Sequence, residues 1–374
     1  MTTSRADLLV AGGGVIGLTI AWEAAQRGRS VVLVDPLPGR GAAWVAAGML
    51  APSSEAHFGE EALVRLLVAG AGEWPAFAER LESASSMDVG YETTGTLLLA
   101  SDGSDRNDLR RTLSFQRSLG LEVEELSSEQ LSLLEPALAP GLRAAALVAS
   151  DHQVSNRALL AALLEACRRA GVEFKPDLVC DIAAEGPPGV VLKSGELLEA
   201  QFVVLALGSR TGQLSSSVGL GLPTVRPVKG HVLRVKGRSP LLTHTIRAVV
   251  RGRPVYLVPR RDGEIVIGAS VEERGFDESV QVGEVFRLLE DARRILPGLD
   301  ELELVETATG LRPGSPDNVP TIAWTTRPGV AVATGHFRNG ILLAPLTARL
   351  LLALFDDQPD AAQVFLDAAH ETPR

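Results

Sequence analysis

The sequence predicts an α/β fold, in which a discontinuous domain with a mostly parallel sheet is interrupted by a second domain with a mainly antiparallel sheet. Three apolar runs, at residues 7–11, 201–207 and 330–334, each lead to a glycine. Continuous apolar runs of this kind are typical of parallel strands buried on both faces. Residues 224–268, by contrast, contain short strands separated by turn residues, which is the pattern of an antiparallel meander.

The first apolar run opens a β-α-β unit with a glycine fingerprint, Gly12-Gly13-Gly14-Val15-Ile16-Gly17. In such a unit Gly12 permits the tight turn, Gly14 lets a pyrophosphate approach the backbone, and Gly17 lets the helix pack closely. Asp35 ends the second strand, where a carboxylate can accept hydrogen bonds from ribose hydroxyls. A purely structural turn is the alternative, but the order of strand, helix, strand and acid favours a dinucleotide site.

The remaining elements follow from periodicity, caps and turn residues. A loop of small residues at 39–52 precedes an amphipathic helix at 60–81. A short helix further along the chain is capped by Ser127 or Ser128 and ends before Pro136. We predict helices at 60–81, 105–119, 127–134, 156–170 and 280–296, and strands at 91–99, 144–148, 172–174, 228–235, 254–259 and 263–268. This order places residues 1–85, 146–222 and 308–374 in the discontinuous domain, and residues 86–145 and 223–307 in the second.

Composition limits the class of protein. The 374 residues carry a formal charge of −10, from 46 acidic and 36 basic residues, and contain no stripe of Lys and Arg. We therefore expect no nucleic-acid partner. The two cysteines, Cys167 and Cys180, have no metal or redox spacing, so we interpret them as packing residues of a protein in a reducing compartment.

Two apolar segments could be mistaken for membrane or targeting segments. Residues 8–21 contain four glycines and lead into Glu23 and Arg27, without a cleavage site. Residues 340–355 are interrupted by Pro345 and Arg349. Both segments are better explained as buried core, so we expect a cytoplasmic protein with no membrane partner.

Four segments, spread over the whole chain, resemble the FAD-dependent amino acid oxidoreductases related to D-amino acid oxidase, and most of all the glycine oxidases of thiamine biosynthesis. The resemblance implies a discontinuous Rossmann-like FAD-binding domain and an α+β substrate domain. The first segment is the fingerprint, and the second, residues 46–52, resembles the family's loop beside the flavin ring. The others are residues 255–260 with 267–270, and residues 310–313 with 316–317 and 335–345.

The same resemblance implies roles for individual residues. Arg312 matches the arginine that binds the substrate carboxylate, and Arg338 and Tyr256 match further substrate contacts. Arg suits this role because its planar fork binds a carboxylate bidentately. His336 precedes a flavin-binding turn, and we do not interpret it as a base. The implied FAD contacts are Gly12, Gly14, Val15, Ile16, Gly17, Asp35, Ala43, Ala47, Gly48, Met49, Leu50, Val179, Gly208, His336, Phe337, Arg338, Asn339, Gly340, Ile341 and Leu342.

The reaction implied is oxidative deamination of glycine, and also of sarcosine or small D-amino acids. Hydride passes to the flavin, the imino acid hydrolyses to glyoxylate or another keto acid and ammonia, and O₂ is reduced to H₂O₂. Three alternatives remain. They are a D-amino acid dehydrogenase or sarcosine oxidase-like enzyme of the same family, an NAD-dependent dehydrogenase with the same fingerprint, and a non-catalytic flavoprotein. Relatives are often homo-oligomers, so we expect one here.

The chain departs from the family pattern at a few positions. Ala43 and Trp44 stand where many relatives have Ser or Thr, so a hydroxyl contact to the cofactor is missing. Val271 replaces a bulkier residue found in some relatives, and Asn318 stands where glycine is common. No cysteine lies near the C-terminal flavin motif, so we predict that the FAD is bound non-covalently.

Overall fold

The computed structural model describes residues 5–356, without the side chains of residues 215–218. The outer ends of the first and last predicted domain segments, residues 1–4 and 357–374, lie outside the described residues. The α-helices are α1 (Val15–Gln26), α2 (Ala42–Val45), α3 (Glu61–Ser85), α4 (Gly103–Ser118), α5 (Ser128–Leu134), α6 (Asn156–Arg169), α7 (Thr211–Val218), α8 (Val282–Ile295) and α9 (Gly340–Phe355).

Strands, loops and turns make up the chain between these helices. The strands are β1 (Ala6–Ala11), β2 (Val31–Val34), β3 (Met49–Leu50), β4 (Thr96–Ala100), β5 (Glu124–Leu126), β6 (Ala144–Val148), β7 (His152–Gln153), β8 (Glu173–Lys175), β9 (Val179–Ile182), β10 (Gly189–Leu192), β11 (Leu197–Leu205), β12 (Arg226–Lys236), β13 (Thr245–Val250), β14 (Arg253–Pro259), β15 (Glu264–Gly268), β16 (Glu303–Gly314), β17 (Thr321–Trp324) and β18 (Val330–Thr334).

The first sheet has the order β17-β18-β11-β1-β2-β8, with β10 and β9 added beside β11. The four central pairings are parallel: β1 with β11, β1 with β2, β11 with β18 and β2 with β8. The α/β class and the parallel arrangement of the three glycine-ended runs are therefore confirmed. The next strand along the chain, β2, lies on one side of β1, whereas the later strand β11 lies on the other side of β1, so the order of the strands reverses at β1. This reversal creates a crevice at the carboxyl ends of the strands, where such sheets bind ligands.

The second sheet has the order β16-β12-β15-β14-β13-β4-β6-β5 and is antiparallel except for the β13–β4 pair. The predicted strand at 91–99 begins only at Thr96, because Glu92 instead forms an isolated bridge with Gln153. The boundaries predicted at 146 and 308 fall inside β6 and β16, and both strands pair within this sheet. The division into two domains therefore remains a proposal. In it, β6 and β16 each belong entirely to the domain that contains the second sheet.

Helices α1 and α9 contact strands of the first sheet, α6 packs on α1, and α3 packs on α9 and α6. Their core includes the edge-to-face aromatic cluster of Trp22, Trp74 and Phe77. The Trp74 indole donates a hydrogen bond to the carbonyl oxygen of Leu342, at 2.9 Å, which ties α3 to α9. Within residues 5–356, no helix is both long and apolar enough to cross a membrane.

Candidate active site

A cavity of about 840 Å³ lies between the two sheets. Its wall includes the glycine turn after β1 and the acidic end of β2, and also Tyr256 and Arg312 from the second sheet. Cavities that hold organic ligands measure roughly 300–1,000 Å³, so this one suits a large cofactor together with a small second molecule. The described part of the chain contains no group of His, Cys, Asp and Glu able to hold a metal ion.

The glycine turn leaves the first turn of α1 open to the cavity. Gly12 has φ +106°, and a Cβ there would lie 2.3 Å from the carbonyl oxygen of Ala206. A Cβ at Gly17 would lie 1.9 Å from the carbonyl oxygen of Gly12, so helix and turn touch backbone to backbone. Gly14 faces open space, and no acidic side chain occupies the first turn of α1. The helix N-terminus can therefore accept a phosphate anion.

Asp35 is held rigidly where β2 ends. Its Oδ2 accepts a hydrogen bond from the Gly13 N–H at 2.7 Å, and its Oδ1 accepts one from the Leu37 N–H at 2.7 Å. Each carboxylate oxygen can accept a second hydrogen bond, and Asp35 lines the cavity. The side chain is therefore ready to accept hydrogen bonds from ribose hydroxyls.

Two polar side chains that the sequence analysis did not assign to the site hold the backbone of the segment at residues 43–50. The Asn156 side-chain amide donates to the carbonyl oxygens of Ala43 (2.8 Å) and Trp44 (2.9 Å). Arg260 donates to the Ala47 carbonyl oxygen and, at 2.6 Å, to Gln153 Oε1. Burial lowers the pKa of the Arg260 guanidinium to about 10. These contacts fix the backbone of residues 43–47.

Arg312 is positioned as a free cation. Its Nη1 donates to the carbonyl oxygens of Ser270 (3.1 Å) and Lys229 (3.4 Å), and no carboxylate among the described residues pairs with it. The guanidinium lies directly over Gly230, where a Cβ would come within 2.3 Å of both terminal nitrogens. An uncompensated guanidinium in a partly dry cavity is a site for a carboxylate.

Tyr256 stands close to Arg312 in the same cavity wall. Its hydroxyl lies over Gly268, where a Cβ would be 2.2 Å away. Burial raises the pKa of the Tyr256 hydroxyl, and the positive charge of Arg312 acts in the opposite direction. The hydroxyl therefore stays protonated near neutral pH and can donate a hydrogen bond.

Arg338 differs from Arg312 because its charge is compensated within the protein. It pairs with Glu60 (Nη2–Oε2 2.5 Å) and approaches Glu55 (Nε–Oε2 3.4 Å), and Arg247 pairs with the same Glu55 at 2.5 Å. Burial would raise the pKa of the Glu55 carboxyl, but Arg247 and Arg338 together hold it below its usual value. Sequence reasoning missed Glu55, Glu60 and Arg247, since they belong to no shared motif and meet only in the folded chain.

His336 is buried, and its Nε2 lies 2.9 Å from the Thr347 hydroxyl. Burial lowers its pKa to about 3, so the ring is neutral at physiological pH. A group so weakly basic is unsuited to proton abstraction, which supports the interpretation that His336 is no catalytic base. The adjacent Phe337 has φ +47° and donates its N–H to the Pro313 carbonyl oxygen at 2.9 Å. This hydrogen bond links the turn at Phe337 to β16, the strand that contains Arg312.

The structure brings most of the predicted site residues to one cavity. All three substrate residues line it, and four of the predicted cofactor residues do not. Gly17 is packed on the turn, and Leu50, Asn339 and Leu342 are buried in neighbouring layers. The predicted residues that line the cavity are Gly12, Gly14, Val15, Ile16, Asp35, Ala43, Ala47, Gly48, Met49, Val179, Gly208, Tyr256, Arg312, His336, Phe337, Arg338, Gly340 and Ile341.

One cavity thus combines an open helix N-terminus, an acid at the end of β2 and an arginine that has no carboxylate partner among the described residues. This combination is typical of a nucleotide-dependent enzyme of the α/β class. A family profile described as "FAD dependent oxidoreductase" (DAO) matches residues 7–354. The chain belongs to this family of FAD-dependent oxidoreductases. The described residues fit the cofactor, since Gly14, the start of α1 and Asp35 offer the contacts that an adenine dinucleotide needs.

Individual relatives cover nearly the whole chain. Glycine oxidase from Geobacillus kaustophilus is 35% identical over 363 residues, which are 96% of this chain and 95% of the relative. The crystal structure of glycine oxidase from Geobacillus kaustophilus matches with a TM-score of 0.88 over 95% of each chain. A "Bifunctional protein ThiO/ThiG" from Trichormus variabilis is 33% identical, and the match covers 94% of this chain and 53% of that protein.

Proposed function

We propose that the protein oxidises glycine, and also sarcosine and small D-amino acids, to the imino acid, which hydrolyses to glyoxylate or another keto acid and ammonia. The observation that carries the proposal is the uncompensated Arg312 in the cavity that also contains the nucleotide-binding turn. The glycine oxidase relative, matched over nearly its full length, supports the choice of substrate.

In this proposal the chain binds and orients the amino acid. The Arg312 guanidinium holds the substrate carboxylate, and the protonated Tyr256 hydroxyl donates a further hydrogen bond to it. FAD, when bound, accepts the hydride and later passes the electrons to O₂, which yields H₂O₂. No side chain needs to remove a proton from the reactive carbon, which agrees with the neutral, weakly basic His336.

The proposed FAD contacts divide between the two ends of the cavity. Gly12, Gly14 and Asp35 hold the adenosine diphosphate part, and the backbone of residues 47–49 and 336–341 surrounds the flavin. Arg338 belongs to this second group rather than to the carboxylate site, because Glu60 and Glu55 already neutralise it. Neither Cys167 nor Cys180 lines the cavity, which supports non-covalent binding of FAD.

A D-amino acid dehydrogenase or sarcosine oxidase-like enzyme is the second candidate, since it needs the same arginine. Val271, which replaces a bulkier residue found in some relatives, forms part of the cavity wall, and this supports a site that also accepts a substrate with a substituent larger than hydrogen. Hydrogen peroxide formed in air indicates an oxidase, whereas activity with a dye acceptor alone indicates a dehydrogenase.

We also propose the cellular context. The "ThiO/ThiG" relative supports a role in forming the thiazole of thiamine. Both cysteines are free, as is usual for a cytoplasmic protein. Val282 and Phe286 are 84% and 68% exposed on one face of α8, and such exposed apolar side chains support a homo-oligomer.

The deciding experiment is anaerobic reduction of the bound flavin by glycine, sarcosine, D-alanine and D-proline. We expect glycine or sarcosine to bleach the flavin, and Arg312→Ala to weaken apparent glycine binding at least about 100-fold. Arg293→Ala, an exposed arginine on α8, is the control. Unchanged glycine binding in Arg312→Ala would remove the proposed carboxylate site, and a flavin that no amine bleaches would favour a non-catalytic flavoprotein.

A further inference from the structure

Residues 269–281, which we call the strap, connect β15 to α8 and contain no helix or strand. Ala269, Val271 and Glu278 of the strap line the cavity. The Thr309 hydroxyl donates a hydrogen bond to the Glu278 carbonyl oxygen at 2.5 Å, so the strap crosses β16 close to Arg312. The strap is therefore one wall of the proposed carboxylate site.

The position of Arg312 depends on this wall. The shorter of its two hydrogen bonds goes to the carbonyl oxygen of Ser270, in the strap, at 3.1 Å. The strap is paired with β12 immediately beside this point. Glu272 and Lys229 exchange two backbone hydrogen bonds, of 2.8 and 3.0 Å. The direction of the guanidinium is thus set by how the strap lies on β12.

Lys229 fastens the far half of the strap. Its side chain is 0% exposed, and its ammonium donates to the Ser279 carbonyl oxygen (2.5 Å), Gln281 Oε1 (2.9 Å) and Asp277 Oδ2 (3.3 Å). An ammonium has three N–H donors, so all of them are directed to the strap. A buried cation without these acceptors would carry a large desolvation cost, which favours the fastened arrangement.

His231, two residues further along β12, adds a second connection. Its backbone N–H donates to the Ser270 hydroxyl at 2.9 Å, and its Nε2 accepts a hydrogen bond from the Gln281 N–H at 3.0 Å. Since Nε2 accepts, the donor nitrogen of the ring is Nδ1, which lies 2.8 Å from the Ser270 hydroxyl and 3.0 Å from Glu272 Oε1. Both ends of the strap are therefore joined to Lys229 and His231, two alternate residues of β12.

We propose that Lys229 is a positioning residue for carboxylate recognition: it fastens the strap so that the Ser270 carbonyl keeps Arg312 directed into the cavity. This inference rests on the proposed role of Arg312. Most strap residues are exposed and lack regular hydrogen bonding. Such a segment opens readily when its few connections are removed, and Arg312 then loses a fixed partner.

The test is Lys229→Met, which keeps an unbranched chain of similar length but donates no hydrogen bond. Lys236→Met is the matched control, because Lys236 lies on the same strand and pairs with Asp262 at the surface. We expect the KM for glycine to rise about tenfold in Lys229→Met. We expect kcat and the Kd for FAD to stay within about twofold of wild type. Trypsin should also cleave faster after Arg274, an exposed strap residue.

The outcomes separate the inference from the function on which it depends. A folded Lys229→Met protein with the KM and cleavage rate of Lys236→Met overturns the inference. A rise in the Kd for FAD equal to the rise in KM also overturns it, because the effect would then be general. If Lys229→Met does not fold, Asp277→Asn is the deciding variant, because Asp277 is 41% exposed and its replacement leaves the core intact. An unchanged KM and cleavage rate in Asp277→Asn reject the inference. A raised KM with faster cleavage supports it. If Arg312→Ala binds glycine normally, the proposed function itself fails.

Discussion

Gly230→Ala should disable the carboxylate site without replacing any residue that we propose to bind substrate. A Cβ at this position would lie 2.3 Å from both terminal nitrogens of Arg312, and ordinary contact begins only at 3.4 Å. The guanidinium must therefore move by about 1.1 Å or rotate away. Either movement breaks the bidentate geometry that a carboxylate requires.

The expected loss of glycine affinity follows from the hydrogen bonds that Arg312 would no longer make to the substrate carboxylate. A hydrogen bond to a charged group contributes about 1.5–3 kcal/mol, and losing one of the two Arg312–carboxylate bonds weakens binding by roughly 10- to 100-fold. A displacement near 1 Å in a substrate-positioning group has an effect of about 100-fold in rate. We therefore expect the apparent Kd for glycine to rise at least about tenfold, with FAD binding unchanged.

The assay is anaerobic titration of the bound flavin with glycine, followed by absorbance. Gly283→Ala is the control, because a Cβ at Gly283 meets nothing within 4 Å. The Kd for FAD is measured on both variants to establish that the nucleotide end is intact. If Gly230→Ala bound glycine as tightly as Gly283→Ala, Arg312 would not be the carboxylate ligand in the observed position.

Three further predictions concern the cofactor and the charge network. Asp35→Ala removes a side chain that accepts two backbone hydrogen bonds and, in our proposal, hydrogen bonds from the ribose of FAD. The Kd for FAD, measured by flavin fluorescence on the apoprotein, should therefore rise about tenfold or more. An unchanged affinity for FAD would contradict the ribose role. Acid precipitation should leave FAD in the supernatant, and a yellow pellet would show a covalent bond. Because the folded pKa of Glu55 lies below its ordinary 4.5, its ion pairs with Arg247 and Arg338 stabilise the protein above that pH and lose their effect as pH falls through the folded pKa. Glu55→Gln should therefore lower Tm at pH 7 and flatten the fall of Tm below pH 4.5, and a parallel fall in both proteins would refute this.

Much of the fold could be predicted from local sequence because each element carries its own signal. The glycine fingerprint lies between a buried strand and the mostly buried helix α1, and Ser127 forms a capping box with Gln130 at the start of α5. The boundaries were less accurate where pairing was decided elsewhere in the chain. Residues 91–95 have strand composition, yet Glu92 pairs with Gln153 rather than continuing β4.

The two arginines of the predicted substrate site show what local pattern does not contain. Arg312 and Arg338 both lie in motifs that resemble the same family, and the sequence predicts a substrate contact for each of them. Only the structure places Glu55 and Glu60 beside Arg338, whereas the hydrogen-bond partners of Arg312 among the described residues are backbone carbonyls. A cation with a carboxylate partner has little capacity left for a ligand, so their proposed roles now differ.

The sequence by itself determined the class of fold, and it also predicted the nucleotide-binding turn and the residue type proposed to meet a carboxylate. These depend on short-range periodicity, on residue chemistry and on backbone requirements at Gly12 and Gly17. The tertiary structure decided which charges remain free. It brings β12, the strap and β16 together, so that Lys229, Ser270 and Arg312, which are up to 83 residues apart, form one connected wall. Charge compensation and desolvation depend on distances between such remote residues, and no local pattern in the chain encodes them.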